Sequence, residues 1–69
     1  MAMFKVIEVL AESGKSWEDA AQSAAKQASE TLHDVKSIYI KNMEATIDNG
    51  KITSYRINAQ ISFRLEGKQ

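Results

Sequence analysis

The sequence predicts an α+β domain of β-α-β-β order, in which one helix covers the apolar face of a three-stranded antiparallel sheet. Three observations support this fold. Residues 3–10 are rich in β-branched and apolar side chains, and residues 17–32 repeat small apolar side chains at helical spacing. Beyond Asp34, two alternating apolar and polar runs flank an Asn-Gly pair, which predicts a β-hairpin.

Length and composition limit the class of protein. The chain has 69 residues, no cysteine and no proline, and 43% of its residues are apolar. We expect a single domain over residues 1–69, because a second core would need roughly 50 further residues. The short length excludes multidomain enzymes, and the absence of cysteine excludes disulfide scaffolds and zinc ribbons. A chain this short buries only about 60% of its extended surface, so we also expect self-association.

Charge and hydropathy indicate which partners to expect. Nine basic and nine acidic side chains give a formal net charge of zero, so no long-range field favours nucleic acid or an anionic membrane. No apolar run could span a bilayer, and the N-terminus does not resemble a signal peptide. We therefore expect a cytoplasmic protein without nucleic acid or membrane partners.

The first predicted strand, residues 3–10, carries apolar side chains on both faces, so we expect both faces to be covered. Glu8 falls on the same face as Val6 and needs a partner wherever that face is buried. The two sets are Phe4, Val6 and Leu10 on one face and Met3, Ile7 and Val9 on the other.

The helix follows a predicted loop at residues 12–15. Ser16 and Asp19 resemble a capping box with Asp in place of Glu, so the helix should begin at Trp17 and end near Leu32. Trp17 is either a stacking platform for a flat ligand or the first apolar contact of the helix with the sheet. Its helical spacing to the following alanines favours the contact.

Asn49 and Gly50 predict a type I′ turn, which pairs residues that lie equally far on either side of it. Tyr55, Ile57, Ala59, Ile61, Phe63 and Leu65 then form the core face of the third strand. The expected pairs on that face are Ile38 with Ile61, Ile40 with Ala59, Asn42 with Ile57 and Glu44 with Tyr55. On the other face they are Ser37 with Ser62, Tyr39 with Gln60, Lys41 with Asn58 and Met43 with Arg56. This second face suits a subunit contact or a ligand surface, with an ordinary solvated face as the alternative. Residues 66–69 are predicted to be a tail.

The sequence predicts no catalytic residue. His33 is the only candidate base near neutral pH, and its place at the helix end, beside the negative end of the dipole, is explained structurally. No pattern brings two carboxylates together in a pocket.

A calcium site is a candidate because Asp34, Asp48 and Asn49 offer oxygen ligands in predicted turns. An EF-hand would continue with ligands where Lys51 and Ile52 stand, so that motif is missing. The composition favours turn formation, and a weak cation site built from several subunits stays open as the alternative.

The chain resembles the dodecin family over nearly its whole length. The segments FKVIEVLAES, SWEDAAQSAA and YRINAQISFRLEG carry this resemblance, in this order and at this total length. The resemblance implies β-α-β-β subunits whose sheets wrap around their helices, with twelve subunits assembled as a hollow homododecamer.

Flavin-binding dodecins hold flavins (FMN, riboflavin or FAD) between a stacking tryptophan in the second strand and a hydrogen-bonding glutamine in the third. Aligned on the segments ATI and YRINAQISF, this chain has Ser37 at the tryptophan position and Arg56 at the glutamine position. Serine cannot supply a stacking contribution of about 1 kcal/mol, and arginine offers donors only.

The SWED helix start, with no tryptophan in the second strand, is similar to a dodecin subgroup described as calcium-binding. The resemblance assigns no metal ligand to a position in this chain. Our hypothesis is a non-enzymatic shell for storage or sequestration of a small planar ligand or a cation. The predicted ligand-lining residues are Ser37, Tyr39, Arg56, Asn58 and Gln60. The rival hypothesis is a purely structural or interaction shell.

Overall fold

The computed structural model describes residues 2–65 and has the predicted element order. The elements are β1 (Phe4–Ser13), α1 (Trp17–Thr31), β2 (Val35–Asp48) and β3 (Lys51–Arg64). The strands are antiparallel and lie in the order β1-β3-β2, so β3 is central. The predicted tail at residues 66–69 lies outside the described residues.

The core lies between α1 and the centre of β3. Ala20 of the helix is fully buried against Ile57 and Ala59 of β3, and Ile61 is also buried. Small side chains on α1 let the helix axis approach the sheet closely. Within the described residues, no helix is long and apolar enough to cross a membrane.

β1 is longer than the sequence predicted. Glu12 and Ser13, expected in a loop, instead pair with Arg56 and Tyr55 of β3. The Ser13 hydroxyl accepts a hydrogen bond from the backbone N–H of Lys15 at 2.9 Å, which closes the turn immediately after the strand. Side-chain polarity had indicated a loop here, but pairing with the long central strand outweighs that local preference.

α1 begins where predicted and ends one residue early. The Ser16 hydroxyl accepts from the Asp19 N–H at 2.9 Å, as an N-cap does. The Asp19 carboxylate accepts from the Ser13 hydroxyl at 2.7 Å, so it ties the helix start to β1. At the other end, Leu32 donates its backbone N–H to the Ala28 carbonyl at 2.8 Å.

The hairpin turn has the predicted conformation, since Asn49 (φ 53°) and Gly50 (φ 79°) both have positive φ. Four predicted pairs are confirmed: Ser37 with Ser62, Ile38 with Ile61, Tyr39 with Gln60 and Ile40 with Ala59. The other four are wrong. Asn42, Met43 and Glu44 pair instead with Asn58, Ile57 and Arg56.

Two β-bulges account for the wrong pairs. The register shifts at Lys41 of β2, and shifts back at Thr53 of β3. Each bulge inserts one unpaired residue, so the segment between them is displaced by one position. As a result Glu44, predicted on the core face, lies opposite Arg56 on the other face of the sheet.

The sheet side opposite α1, called the uncovered face below, is defined by register. β3 contributes Arg56, Asn58, Gln60 and Ser62, β1 contributes Phe4, Val6, Glu8, Leu10 and Glu12, and β2 contributes Ser37, Tyr39, Asn42 and Glu44. A single chain covers only the helix side of β1, because Phe4, Val6 and Leu10 are all more than half exposed. The sequence also predicts that the other side of β1, on the uncovered face, is buried, and this stays a prediction about contacts between assembled subunits.

Candidate functional site

The five predicted ligand-lining residues share one surface. Ser37 and Tyr39 of β2 and Arg56, Asn58 and Gln60 of β3 all belong to the uncovered face. Tyr39 is directly opposite Gln60, and the residue is 64% exposed. An aromatic ring beside an amide presents both a stacking surface and hydrogen-bonding groups.

Ser37 forms the end of this surface beyond Tyr39. Its hydroxyl lies 2.6 Å from the hydroxyl of Ser62, its register partner. Two short side chains therefore occupy this position, and their hydroxyls are engaged with each other. The contact agrees with the sequence argument that Ser37 does not supply a stacking plane.

Arg56 lies between two carboxylates and links all three strands. Its Nε donates to Glu12 Oε1 of β1 at 2.9 Å, and its Nη1 donates to Glu44 Oε2 of β2 at 3.4 Å. The hydrogen bond from Arg56 lowers the pKa of Glu12, and those to Glu12 and Glu44 raise the pKa of Arg56. These side chains are exposed, so solvent screens the ion pairs and their net contribution to stability is small.

A second ion pair crosses the sheet farther from the turn. Lys41 Nζ donates to Glu8 Oε2 at 2.8 Å, so a β2 side chain reaches over β3 to β1. The hydrogen bond to Glu8 raises the pKa of Lys41. Lys41 is the unpaired residue of the bulge. Glu8 has this partner although its side chain is 54% exposed, so the condition of burial set for it does not apply in the single chain.

The two ion-paired clusters frame a row of amides formed by Asn42, Asn58 and Gln60. Asn42 and Asn58 are register partners, and Gln60 follows two residues along β3. Side-chain amides carry donors and acceptors together, so the row can bind the polar edge of a planar molecule. The neighbouring acids Glu8, Glu12 and Glu44 pair with Lys41 and Arg56, so the charges around these amides balance except for one carboxylate.

Residues outside the uncovered face have structural roles that the sequence partly predicted. Trp17 meets Tyr55 edge to face, with ring centroids 4.9 Å apart, and packs against the core, which confirms its assignment as a contact between helix and sheet. His33 is exposed and follows the end of α1.

Within residues 2–65, no three acidic, histidine or cysteine side chains converge in a way that could hold a metal ion. Asn49 forms the hairpin turn, as predicted for the Asp48 and Asn49 pair. Asp34 has a φ of 59° and lies 2.9 Å from Lys36 Nζ, which lowers the pKa of its carboxyl.

Comparison with known proteins identifies the family. The family model described as Dodecin matches residues 3–66. The chain is 34% identical to the calcium dodecin of Mycobacterium tuberculosis over 70 aligned positions, which cover 100% of this chain and 97% of that protein.

Solved structures of dodecins have the same fold as this chain. The crystal structure of calcium dodecin from M. tuberculosis superposes with a TM-score of 0.79 at 32% identity, covering 97% of this chain and 96% of that one. A variant of the Thermus thermophilus dodecin superposes with a TM-score of 0.89 at 27% identity, covering 97% of this chain and 100% of that one. On its sequence and on its β-α-β-β structure, this chain belongs to the dodecin family.

Proposed function

We propose that the chain is a subunit of a non-enzymatic homododecameric shell that binds, stores or sequesters a small ligand at its subunit contacts. The observation that carries this proposal is the composition of the uncovered face. It presents an exposed tyrosine and a row of amides in a frame of ion pairs. A surface of this kind is typical of a specific contact rather than of a fully solvated sheet.

The size of the core supports self-association. Only four apolar residues are buried among those described, and two of them are alanines: Ala20, Ile57, Ala59 and Ile61. Large apolar side chains such as Phe4, Val6 and Leu10 stay more than half exposed in the single chain. Packing against further copies removes these side chains from water, which stabilises the folded state.

The ligand that fits the face best is a small planar molecule. Tyr39 offers a stacking surface, and Asn58 and Gln60 offer hydrogen bonds to the polar edge of the molecule. Arg56 is already held by Glu12 and Glu44, so an anionic ligand must compete with two carboxylates for the guanidinium. Ser37 and Arg56 make this face differ from the flavin pocket implied by the family resemblance.

Calcium is the second candidate, favoured by the 34% identity to a protein named calcium dodecin. The chain alone does not assemble a cluster of ligands within its described residues, so this candidate requires carboxylates from several copies. Calcium takes six to eight oxygen ligands, which also favours contributions from more than one subunit.

Titration of the assembled protein tests both candidates. Riboflavin serves as the planar probe, with binding followed by quenching of its fluorescence, and CaCl₂ is titrated by calorimetry. Tyr39→Ala and Arg56→Ala should weaken any saturable riboflavin binding, since loss of Arg56 leaves Glu12 and Glu44 unbalanced beside the ligand. Lys26→Ala, on the exposed side of α1, is the control and should bind as the unmodified chain does.

Each other outcome favours a rival. Unchanged riboflavin affinity in both variants would show that the ligand does not lie on the uncovered face. Calcium binding without riboflavin binding would favour the cation shell. A protein that assembles but binds neither probe would favour the purely structural shell.

A further inference from the structure

The end of the β2–β3 hairpin, residues 47–53, lies outside the three-stranded part of the sheet and is called the hairpin end below. Within the described chain β1 stops at Ser13, opposite Tyr55, so the hairpin end consists of two strands and their turn. All of its residues are exposed, including the apolar pair of Ile47 and Ile52. A two-stranded hairpin is marginally stable in water. The hairpin end should therefore open locally at a lower free-energy cost than the three-stranded part of the sheet.

The turn of the hairpin end places an asparagine directly before a glycine. Asn49 and Gly50 are both exposed, and a Cβ at Gly50 would meet nothing within 4 Å among the described residues. The side-chain carbonyl carbon of Asn49, Cγ, and the backbone nitrogen of Gly50 can close a succinimide ring. Such an intramolecular attack is fast when the two atoms can meet, and glycine hinders it least because it has no Cβ.

We propose that Asn49 is a site of spontaneous deamidation, and that opening of the hairpin end controls its rate. In the first step the Gly50 nitrogen forms a bond to Asn49 Cγ, the bond from Cγ to Nδ2 breaks, and the proton of the Gly50 nitrogen leaves with the amide as ammonia. In the second step water adds to either carbonyl of the succinimide ring, which leaves an aspartate or an isoaspartate at position 49. Water is the sole co-reactant, nothing is oxidised or reduced, and the reaction requires neither a ligand nor a second copy of the chain.

The folded turn opposes the first step. Asn49 and Gly50 hold φ values of 53° and 79°, and the pairing of Asp48 with Lys51 fixes both residues in the type I′ turn. Ring closure brings the Gly50 nitrogen onto the Asn49 side chain, so the Asn49 backbone must rotate out of the turn. The deamidation rate should therefore follow the fraction of molecules in which the hairpin end is open.

The products differ from the original turn in charge and in geometry. Each product adds one carboxylate to a chain whose formal net charge is zero, next to the carboxylate of Asp48. The isoaspartate also carries the main chain through its side chain, so the turn gains one backbone carbon. A turn of altered length no longer matches the pairing of Asp48 with Lys51. Deamidation therefore converts a closed hairpin end into an open and more acidic one, and the loss of ammonia makes the change permanent.

Peptide mapping by mass spectrometry tests the proposal on the folded protein, incubated at mildly alkaline pH. We expect conversion of the Asn49 amide to a carboxylate, and a shift of the intact protein toward acidic pH on isoelectric focusing. An isoaspartyl methyltransferase with a labelled methyl donor should label the isoaspartate product. Asn42 and Asn58 lie within the strands and are internal controls that should stay unchanged. Asn49→Gln should lose the label, because a glutamine would have to close a larger ring.

A variant of one hydrogen bond near the turn tests the control by opening. The hydroxyls of Thr46 and Thr53 lie 2.7 Å apart and join the two strands. Thr53→Val keeps a β-branched side chain and removes this bond. The deamidation rate should rise about fivefold, which is the gain in open population expected from the loss of one neutral hydrogen bond. Thr31→Val, at an exposed position at the end of α1, is the matched control and should deamidate at the unmodified rate.

Two results would overturn the proposal. A folded protein that keeps the Asn49 amide while the urea-unfolded chain loses it would show that the turn protects this asparagine completely. Equal deamidation rates in Thr53→Val and in the unmodified protein would show that opening of the hairpin end does not control the reaction.

Discussion

The indole Nε1 of Trp17 donates a hydrogen bond of 2.9 Å to the backbone carbonyl of Glu44. The two residues are 27 positions apart in sequence, and the bond ties the first turn of α1 to β2. The indole ring also meets Tyr55 at an interplanar angle of 78°. Trp17 therefore fixes the start of the helix against both strands of the β2–β3 hairpin.

Trp17→Phe should lower the free energy of unfolding by about 1 kcal/mol, because it removes the hydrogen bond to the Glu44 carbonyl and keeps an aromatic ring. Urea unfolding at fixed protein concentration measures this change, since oligomer stability depends on concentration. Tyr55→Phe is the control, because it keeps both rings. Equal destabilisation by the two variants would show that the hydrogen bond does not anchor the helix.

Gly50→Ala should destabilise the hairpin by about 1 kcal/mol. Gly50 has a φ of +79°, which is strained for any residue with a Cβ, although the space around it is open. Gly14→Ala is the matched control, since a Cβ there also meets nothing within 4 Å and the residue does not have positive φ. Comparison of the two thermal midpoints checks the prediction, and equal midpoints would contradict it.

Ser16→Ala should destabilise the protein by about 1 kcal/mol, because the Asp19 N–H loses its N-cap acceptor. Gln22→Ala, at an exposed position inside α1, should leave stability unchanged or raise it slightly. Urea unfolding of both variants measures the two changes in the free energy of unfolding. A Ser16→Ala protein as stable as the Gln22→Ala protein would contradict the role of the cap.

The ion pair between Arg56 and Glu12 predicts a pH dependence. The pKa of Glu12 in the folded protein is below its ordinary value of 4.5. The stabilisation from this pair is therefore fully present above about pH 4.5 and is lost as the pH falls through the folded pKa. In Arg56→Gln the pKa of Glu12 should rise, and stability should fall less steeply with acidification.

An NMR titration of the Glu12 carboxyl carbon measures this pKa directly. Lys26→Gln is the charge-matched control and should leave the Glu12 pKa unchanged. Added salt should reduce the difference in the Glu12 pKa between the unmodified protein and Arg56→Gln, because the ion pair between Arg56 and Glu12 is exposed to solvent. A Glu12 pKa that is identical in Arg56→Gln and in the unmodified chain would contradict the assigned contact.

Local chemistry was enough to predict most of the fold. The N-cap at Ser16, the turn at Asn49 and Gly50 and the alternation along β3 each depend on residues close in sequence, and each is found in the structure. The apolar role of Trp17 followed in the same way from its helical spacing.

The ion pairs of the uncovered face could not be predicted, because they depend on two bulges. Counted from the turn, the bulge at Thr53 moves Glu44 opposite Arg56, and the bulge at Lys41 then restores the predicted register. The extension of β1 brings Glu12 to the other side of Arg56. The unpaired residues are Lys41 and Thr53. Neither lysine nor threonine marks a bulge in a sequence, since any side chain can occupy the unpaired position. A regular register, counted from the turn, therefore misplaces each residue between the two shifts.

Native mass spectrometry of the purified protein tests the central claim, assembly into a closed shell, most directly. The measurement reports the number of subunits and the mass of any retained ligand together. We predict a single species near twelve times the 7.7 kDa chain, with any added mass identifying the bound small molecule or ion. A monomer or an open series of sizes would contradict the account.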